Sequence, residues 1–424
     1  MKSIIKQFQQ LTNKALERGF YYIFASSVLV KLIQMILLLI LVRYLNKNDY
    51  GAYSYALNTY SFFALLSGMG IVTGLLQFSS TAKDSEIKYA YLRYAIRLGI
   101  ITNTILTIIL LIYVSFNRIP IENSKIYLYL MSFLLILSFL PKVLATFFRS
   151  VFDNKKYAVM IISNNLFLFA FAIIGILKNK VIGLIFSQYI AFTCSIIVGI
   201  ILMQKYRVKR SNIKISTQQK TEINRFSIIS MITNIFSSLV YLIDIFLLGI
   251  IIKNPLAISD YKVATIIPFN LMLLPDSIMM FVYPYFAKKH QDKTYIKNNY
   301  LNLIKFSLII NGIMTIIILL FSPELIKLIF GVKYVNSEAP FKILMIGYFV
   351  CSSFRIPAGN VLFSINKVKI NLINSIISGA INIILAFVLI SKYGIIGAAL
   401  STTSIFIISS IISNIYLLRY FKNE

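Results

Sequence analysis

Four basic side chains stand inside long apolar stretches of this sequence: Lys31, Lys142, Lys305 and Arg355. Arg149 stands at the end of the stretch that holds Lys142, and Lys305, close to the start of its own stretch, is mainly placed to snorkel. A charge at the centre of a membrane helix costs about 2.5–3.5 kcal/mol on insertion scales, so a helix that keeps one turns it toward a cavity or a partner. Lys31 shares a helical face with Ser27, four residues before it, and Gln34, three after. Lys142 and Arg149 are seven residues apart, almost in register after two turns. Arg355 shares a face with Ser352 and Gly359, and Pro357 beside it can free backbone carbonyls. An ammonium or guanidinium so placed is a counter-ion for an anionic group. The competing roles are an ion pair with a buried carboxylate, hydrogen bonds to neighbouring helices and, for Lys142 and Arg149, snorkelling to lipid heads.

Of the fourteen acids, only Asp244 and Asp276 fall clearly within apolar runs. Asn234, Ser237, Tyr241 and Asp244 form one helical stripe. Asp276 follows Pro275, in a stretch that also carries Pro268 and Pro284, and a broken helix can line a cavity without stranding backbone groups in lipid. Either carboxyl is a candidate to load a proton or a sodium ion; a structural bond to Lys31 or Arg355 is the competing role. Pro141, just before Lys142, is expected to bend its helix there. No cofactor or metal site is expected: the single His290 has no ligand-spaced neighbours, and no phosphate loop or Ser/His/Asp set occurs. Cys194 and Cys351 both fall within apolar runs and imply no disulfide framework.

The elements that must carry these residues are membrane helices. The chain has 424 residues, 58% of them hydrophobic and 13% charged, with mean hydropathy +0.80, where soluble domains are about 25% charged. About twelve spans can be drawn, at roughly 20–42, 54–78, 98–116, 126–148, 158–177, 181–203, 226–252, 263–287, 300–321, 343–365, 370–391 and 394–418. The net charge of +28 then sorts by side: 26 of the 42 Lys and Arg fall on the side of the two termini and 12 on the other. Such an excess marks the cytoplasmic face, so both termini are expected inside, and the charge reads as topology and contact with anionic lipids rather than nucleic-acid binding. Ile4, Phe8, Leu11 and Ala15 follow a helical period that suits an interfacial helix before the first span.

The halves carry a weak repeat. Tyr53-Ser54-Tyr55-Ala56 matches Tyr261-Lys262-Val263-Ala264 at an offset of 208; Asn154-Lys155 matches Asn366-Lys367 at 212; Ile182-Gly183 matches Ile396-Gly397 at 214. This drift in one direction is what loop insertions produce. The expected division is a six-helix bundle over 1–203, a basic cytoplasmic linker over 204–225 and a second six-helix bundle over 226–424. An even number of spans per copy gives a parallel repeat, an arrangement common among transporters.

The segment Arg43-Tyr44-Leu45-Asn46-Lys47-Asn48-Asp49-Tyr50-Gly51-Ala52-Tyr53 resembles the opening signature of the polysaccharide-biosynthesis flippases. These are the Wzx-type O-antigen and capsule repeat-unit translocases of the multidrug/oligosaccharidyl-lipid/polysaccharide (MOP) exporter superfamily. Further segments look like the same family in the same order. They are Leu66-Ser67-Gly68-Met69-Gly70-Ile71, Phe148-Arg149 through Tyr157, Asp244-Ile245-Phe246-Leu247-Leu248-Gly249, Leu328-Ile329-Phe330-Gly331 and Tyr393-Gly394-Ile395-Ile396-Gly397-Ala398-Ala399. The sequence departs from the pattern at Gly68, where many members place an acid before the glycine, and at Ile245, where a basic residue is common.

The resemblance implies an all-α polytopic membrane protein, two six-helix lobes around a central cavity in a MATE-like fold. It implies a substrate, an oligosaccharide repeat unit on polyprenyl (undecaprenyl) diphosphate, moved from the inner to the outer leaflet of the bacterial cytoplasmic membrane by alternating access. Polysaccharide polymerase and chain-length proteins would be partners, with lipopolysaccharide or capsule as the end product. On this reading Lys31, Lys142, Arg149, Arg355 and Gln34 line a cationic cavity for the diphosphate, and Asp244 or Asp276 couples transport to H+ or Na+. The rival readings are a MATE-like ion-coupled exporter, a flippase for the peptidoglycan lipid precursor, and a membrane-embedded polymerase or ligase. The last would usually show catalytic acids or arginines in a large outer loop, and the longest outer segment, about Ser322 to Lys342, holds only Glu324 and Glu338.

Overall fold

The computed structural model describes residues 20–206, 215–289 and 291–422. The segment holding Ile4, Phe8, Leu11 and Ala15, residues 207–214 of the linker, and His290 lie outside them. Among the described residues every regular element is a helix: α1 (Phe20–Tyr44), α2 (Lys47–Leu65), α3 (Ile71–Thr81), α4 (Ser85–Phe116), α5 (Ser124–Ser132), α6 (Leu134–Ser150), α7 (Asn154–Met203), α8 (Thr217–Ile251), α9 (Pro255–Leu271), α10 (Leu273–Lys288), α11 (Lys293–Leu320), α12 (Ser322–Phe330), α13 (Glu338–Val350), α14 (Ile356–Ser364) and α15 (Val368–Lys422). Short 3-10 turns occupy Ser67–Gly70, Gln204–Tyr206 and Val332–Ser337, and a π-helical turn joins α13 to α14.

Eight stretches are long and apolar enough to cross a bilayer, and the bent pairs α2–α3 (44°) and α5–α6 (48°) make two more. Two of the eight cross twice. Helix α7 has 50 residues and α15 has 55, about 75 and 82 Å at 1.5 Å per residue. Each is broken midway, α7 at Asn179–Lys180 and α15 at Gly394. Twelve spans result among the described residues. In lipid, helices are the only open-chain way to pair every backbone group, and Ile101, Leu177 and Phe387 stay exposed, as lipid-facing positions do.

The breaks have identifiable causes. Pro275 has no N–H for the carbonyl of Leu271, and α9 ends at Leu271. Between α2 and α3, Gly68 (φ 60°), Met69 and Gly70 (φ 74°) are left-handed. A Cβ on Gly68 would stand 2.6 Å from the Phe139 ring, so the acid common at this position would collide with Phe139. The bend expected at Pro141 falls elsewhere: α6 runs through Pro141, and the chain breaks at Phe133.

Landmarks of the repeat are backbone features. Asn46 and Asn254 each accept from a backbone N–H at the start of a helix, α2 and α9. Asp84 and Asp292 are the N-caps of α4 and α11, and Asn123 and Gly331 are both left-handed. All three pairs are 208 residues apart. From the starts of α5 (Ser124) and α13 (Glu338) onward the offset is 214, kept by Phe152 and Asn366, both at φ 61°, and by the break residues Lys180 and Gly394. The starts of α7 and α15, Asn154 and Val368, keep it too. The pairing of Asn154 with Asn366 therefore shifts by two residues. A single insertion of six, Val332–Ser337, accounts for the whole drift.

The chain forms two compact units. One comprises the chain to Tyr44, Tyr60–Arg118 and Lys125–Ile232; the other comprises Leu45–Thr59, Ile119–Ser124 and the chain from Thr233. The first has Phe139, Phe147, Phe148, Ile71 and Leu75 at its centre, the second Phe286, Tyr300, Leu362 and Leu417. Lipid tails are as apolar as these side chains, so close packing rather than escape from water holds the cores.

Candidate functional site

The second unit has a polar interior. Asp244, on α8, is 2% exposed. The Tyr261 hydroxyl donates to its Oδ2 at 2.5 Å, the Thr402 hydroxyl donates to the same oxygen, and Ser401 donates to Oδ1 at 3.3 Å. No Lys or Arg lies within ion-pair distance of it among the described residues, so three hydroxyls from α9 and α15 carry the buried group. One turn before it, the Val240 carbonyl accepts from Asn382 Nδ2 at 3.5 Å, while Asn382 Oδ1 is buried with no partner among the described residues. Asn374, Ser378 and Asn382 follow at four-residue spacing on α15, all buried. Asn374 Nδ2 donates to Ser413 Oγ (2.7 Å) and to the Ser409 carbonyl (3.0 Å).

Ser409 leads to Arg355, whose Nε donates to Ser409 Oγ at 3.0 Å. Arg355 closes the π-helical turn Cys351–Arg355, in which the Ile356 N–H reaches back to the Cys351 carbonyl. Pro357 supplies the cause: lacking an N–H, it leaves the Ser353 carbonyl unmatched, and the helix widens before it. The guanidinium lies 5.7 Å from the Phe406 ring centre and 3.9 Å, through Nη1, from Cys351 Sγ. No carboxylate lies within ion-pair distance of it among the described residues. Arg355 and Asp244 are thus stations on one buried seam of Ser, Thr and Asn side chains. Asp276, exposed in the first turn of α10, lies near enough to act electrostatically on Tyr241 and on Cys351 beside Arg355.

In the first unit Lys31 is exposed on α1 and has no ion-pair partner among the described residues. Ser27 turns back to the Ile23 carbonyl at 2.7 Å. Gln34 Nε2 donates to Asn165 Oδ1 at 3.0 Å, which ties the polar face of α1 to α7. On α6, Lys142, Thr146 and Arg149 form a stripe opposite buried Val143, Leu144, Phe147 and Phe148. Lys142 and Arg149 are exposed in the isolated chain, and the Arg149 guanidinium lies 5.9 Å from the Tyr157 ring centre. Among the described residues, no three His, Cys, Asp or Glu side chains gather as a metal site.

Sequence reasoning found the cations and Asp244 but missed their partners. Asn165, Ser401, Thr402 and Ser409 are ordinary polar residues of apolar helices, and only Tyr261, within the Tyr53/Tyr261 repeat pair, carried any signal.

Several solved structures share the fold. A lipid II flippase MurJ in an inward closed conformation superposes with TM-score 0.75 at 17% identity, covering 94% of this chain and 88% of that one. An inward-facing multidrug resistance MATE family transporter of the MOP superfamily gives 0.73 at 15%, with 93% and 96% covered. A MOP superfamily transporter from Pyrococcus furiosus gives 0.64 at 14%, with 96% and 95% covered. No curated protein matches the sequence closely enough to show kinship. The neighbours are flippases and transporters, not enzymes. Family membership comes from the sequence itself: the profile of the polysaccharide biosynthesis proteins matches residues 16–290, well over half of the chain. This multi-pass membrane protein therefore belongs to the polysaccharide biosynthesis protein family, with the transporter fold of the MOP superfamily.

Proposed function

We propose that the protein is a flippase that carries a polyprenyl (undecaprenyl) diphosphate-linked oligosaccharide repeat unit from the inner to the outer leaflet of a bacterial cytoplasmic membrane, for O-antigen or capsule assembly. The observation that carries this reading is the set of span cations, Lys31, Lys142, Arg149 and Arg355, none of which has a carboxylate within ion-pair distance among the described residues. A charge kept in a span without a protein counter-ion is there for a mobile one, and a diphosphate is such a group. On this reading the halves 1–203 and 226–424, joined by the linker 204–225, enclose the head group in a central cavity while the prenyl tail stays in lipid. Both termini are cytoplasmic, and polymerase and chain-length proteins act on the product.

Alternating access needs a bias between states, and a ligand supplies one only by binding them differently. Asp244 is the stronger candidate for coupling to H+ or Na+, because it is buried among neutral oxygens with an unpartnered carbonyl oxygen, Asn382 Oδ1, near its helix. Asp276 is the alternative. A MATE-like exporter of organic cations fits less well, since the unpaired span charges are positive.

The test is export of lipid-linked glycan from cells. Lys31→Ala and Arg355→Ala should each abolish it at normal protein level and insertion. Full export in both would overturn the proposal.

A further inference from the structure

The two repeats match landmark for landmark except for six residues, Val332–Ser337, present only in the second. Three side chains of this insertion surround one ion pair. Lys47 Nζ lies 2.6 Å from Asp260 Oδ1, with the side chains 16% and 6% exposed. Ser337 donates to the same oxygen at 3.3 Å. Tyr334 is fully buried, and its ring is approached by Lys47 Nζ at 5.4 Å and by Lys333 Nζ at 5.3 Å. Ser259, beside Asp260 on α9, donates to the Tyr334 hydroxyl at 3.4 Å. Lys333 Nζ donates to the Leu45 carbonyl at 2.7 Å, just before α2. The insertion thus reaches the start of α2 twice, through a backbone carbonyl and through Lys47.

Beneath the pair, α2 lies on smooth surfaces. A Cβ on Gly51 would stand 1.9 Å from the Pro255 carbonyl oxygen, and one on Gly249 the same distance from the Tyr55 ring. Backbone sits on backbone at the first of these points, and a ring sits on a glycine at the second. Such a face parts readily once its fastening is undone. The fastening is suited to undoing: a buried ion pair recovers the hydration of both charges when it separates, so it stays near energetic balance, where an apolar plug would gain nothing.

We propose that Val332–Ser337 is a clasp. Lys47 and Asp260, seated on Tyr334 and Ser337, hold the first half of α2 against α9 at the end of the bundle that the charge bias places outside. Separation of that pair opens the outer face for release. This rests on the transport reading above, and its test reads the opening directly. Ser54, on α2, is 3% exposed, so a cysteine there is protected while α2 stays seated. In a chain carrying Cys194→Ser, Cys351→Ala and Ser54→Cys, intact cells are treated with a membrane-impermeant maleimide. Lys47→Gln and Asp260→Asn should each speed labelling at least tenfold, and the exchange Lys47→Asp with Asp260→Lys should return it close to the parent rate. Labelling that neither single variant speeds, or acceleration that the exchange does not reverse, overturns the clasp. Glycan export is scored separately, in cells whose chain keeps Cys351 and Cys194. A wrong substrate assignment would leave the labelling pattern intact, and a wrong clasp would leave export of the parent chain intact.

Discussion

Arg355 separates a binding role from a structural one by magnitude. Its contacts are neutral: Ser409 Oγ at 3.0 Å, Cys351 Sγ at 3.9 Å, the Tyr241 hydroxyl and the Phe406 ring. Were they its whole purpose, Arg355→Gln would lose about one charged hydrogen bond and a cation–π contact, together about 2–4 kcal/mol of stability, while export by the surviving protein stayed normal. If the guanidinium also meets a diphosphate, the same change removes a charge-assisted, two-pronged contact worth about 1.5–3 kcal/mol of affinity, roughly ten- to a hundredfold in the substrate level needed for half-maximal export. Arg355→Lys keeps the charge but not the planar fork and should fall between. Ser409→Ala removes only the Nε acceptor and should cost about 1 kcal/mol of stability with little effect on export. The assays are thermal unfolding of the purified protein and export at graded substrate supply. Arg355→Gln at parent half-saturation with lowered stability would refute the binding role.

Asp244→Asn keeps the shape of the group and removes its charge, so export should lose its response to an imposed Na+ or proton gradient; an unchanged response would exclude Asp244 from coupling. Asp244→Leu would strand the hydroxyls of Tyr261 and Thr402, while Ser401 keeps the Ala398 carbonyl at 2.9 Å, and should lower stability by about 1–3 kcal/mol for each donor left unpaired. Gly51→Val puts a Cβ 1.9 Å from the Pro255 carbonyl oxygen, where real contacts stay beyond 3.0 Å; the α2–α9 contact must open, at about 1–3 kcal/mol, and an unchanged melting temperature would refute that packing. Asp153 accepts from the Lys156 N–H at 3.1 Å and from the Tyr206 hydroxyl at 2.6 Å. Burial, then Asp153 itself, holds the Tyr206 phenol above its ordinary range, so it remains a donor in alkaline solution where a free phenol would ionise. Asp153→Ala should cost about 1–2 kcal/mol and Asp153→Asn less, by thermal unfolding.

What the sequence made legible, and what it did not, divides along a physical line. Spans announce themselves because lipid tolerates only long apolar helices, and the charges within them stand out for the same reason. Their partners do not stand out. Tyr261, Thr402 and Ser401 reach Asp244 from 17, 158 and 157 residues away, and nothing in their local pattern separates a hydroxyl that holds a carboxylate from one that bonds its own helix. Lys47 was legible only as one of the outer charges that set topology, and Asp260, at the edge of a span, had no stripe to mark it. Their pairing depends on a fold that brings the starts of α2 and α9 together.

The repeat was legible in outline and misplaced in one register, and the cause is instructive. Residue identity drifts freely wherever lipid or a neighbour accepts any apolar side chain, but the points where a helix starts or the chain turns left-handed are fixed by backbone geometry. Hence Asn46 and Asn254 agree, while the Asn154/Asn366 match was coincidence of letters and the structural partner of Asn366 is Phe152, at the same φ. Once the landmarks set the register, the second copy has one surplus, Val332–Ser337, and that surplus carries Lys333, Tyr334 and Ser337 around the Lys47–Asp260 pair. Parallel copies are related about the membrane normal, so the two ends of the bundle are inequivalent from the start. The surplus falls at one of those ends in one copy alone, and it can fasten that end without a counterpart at the other.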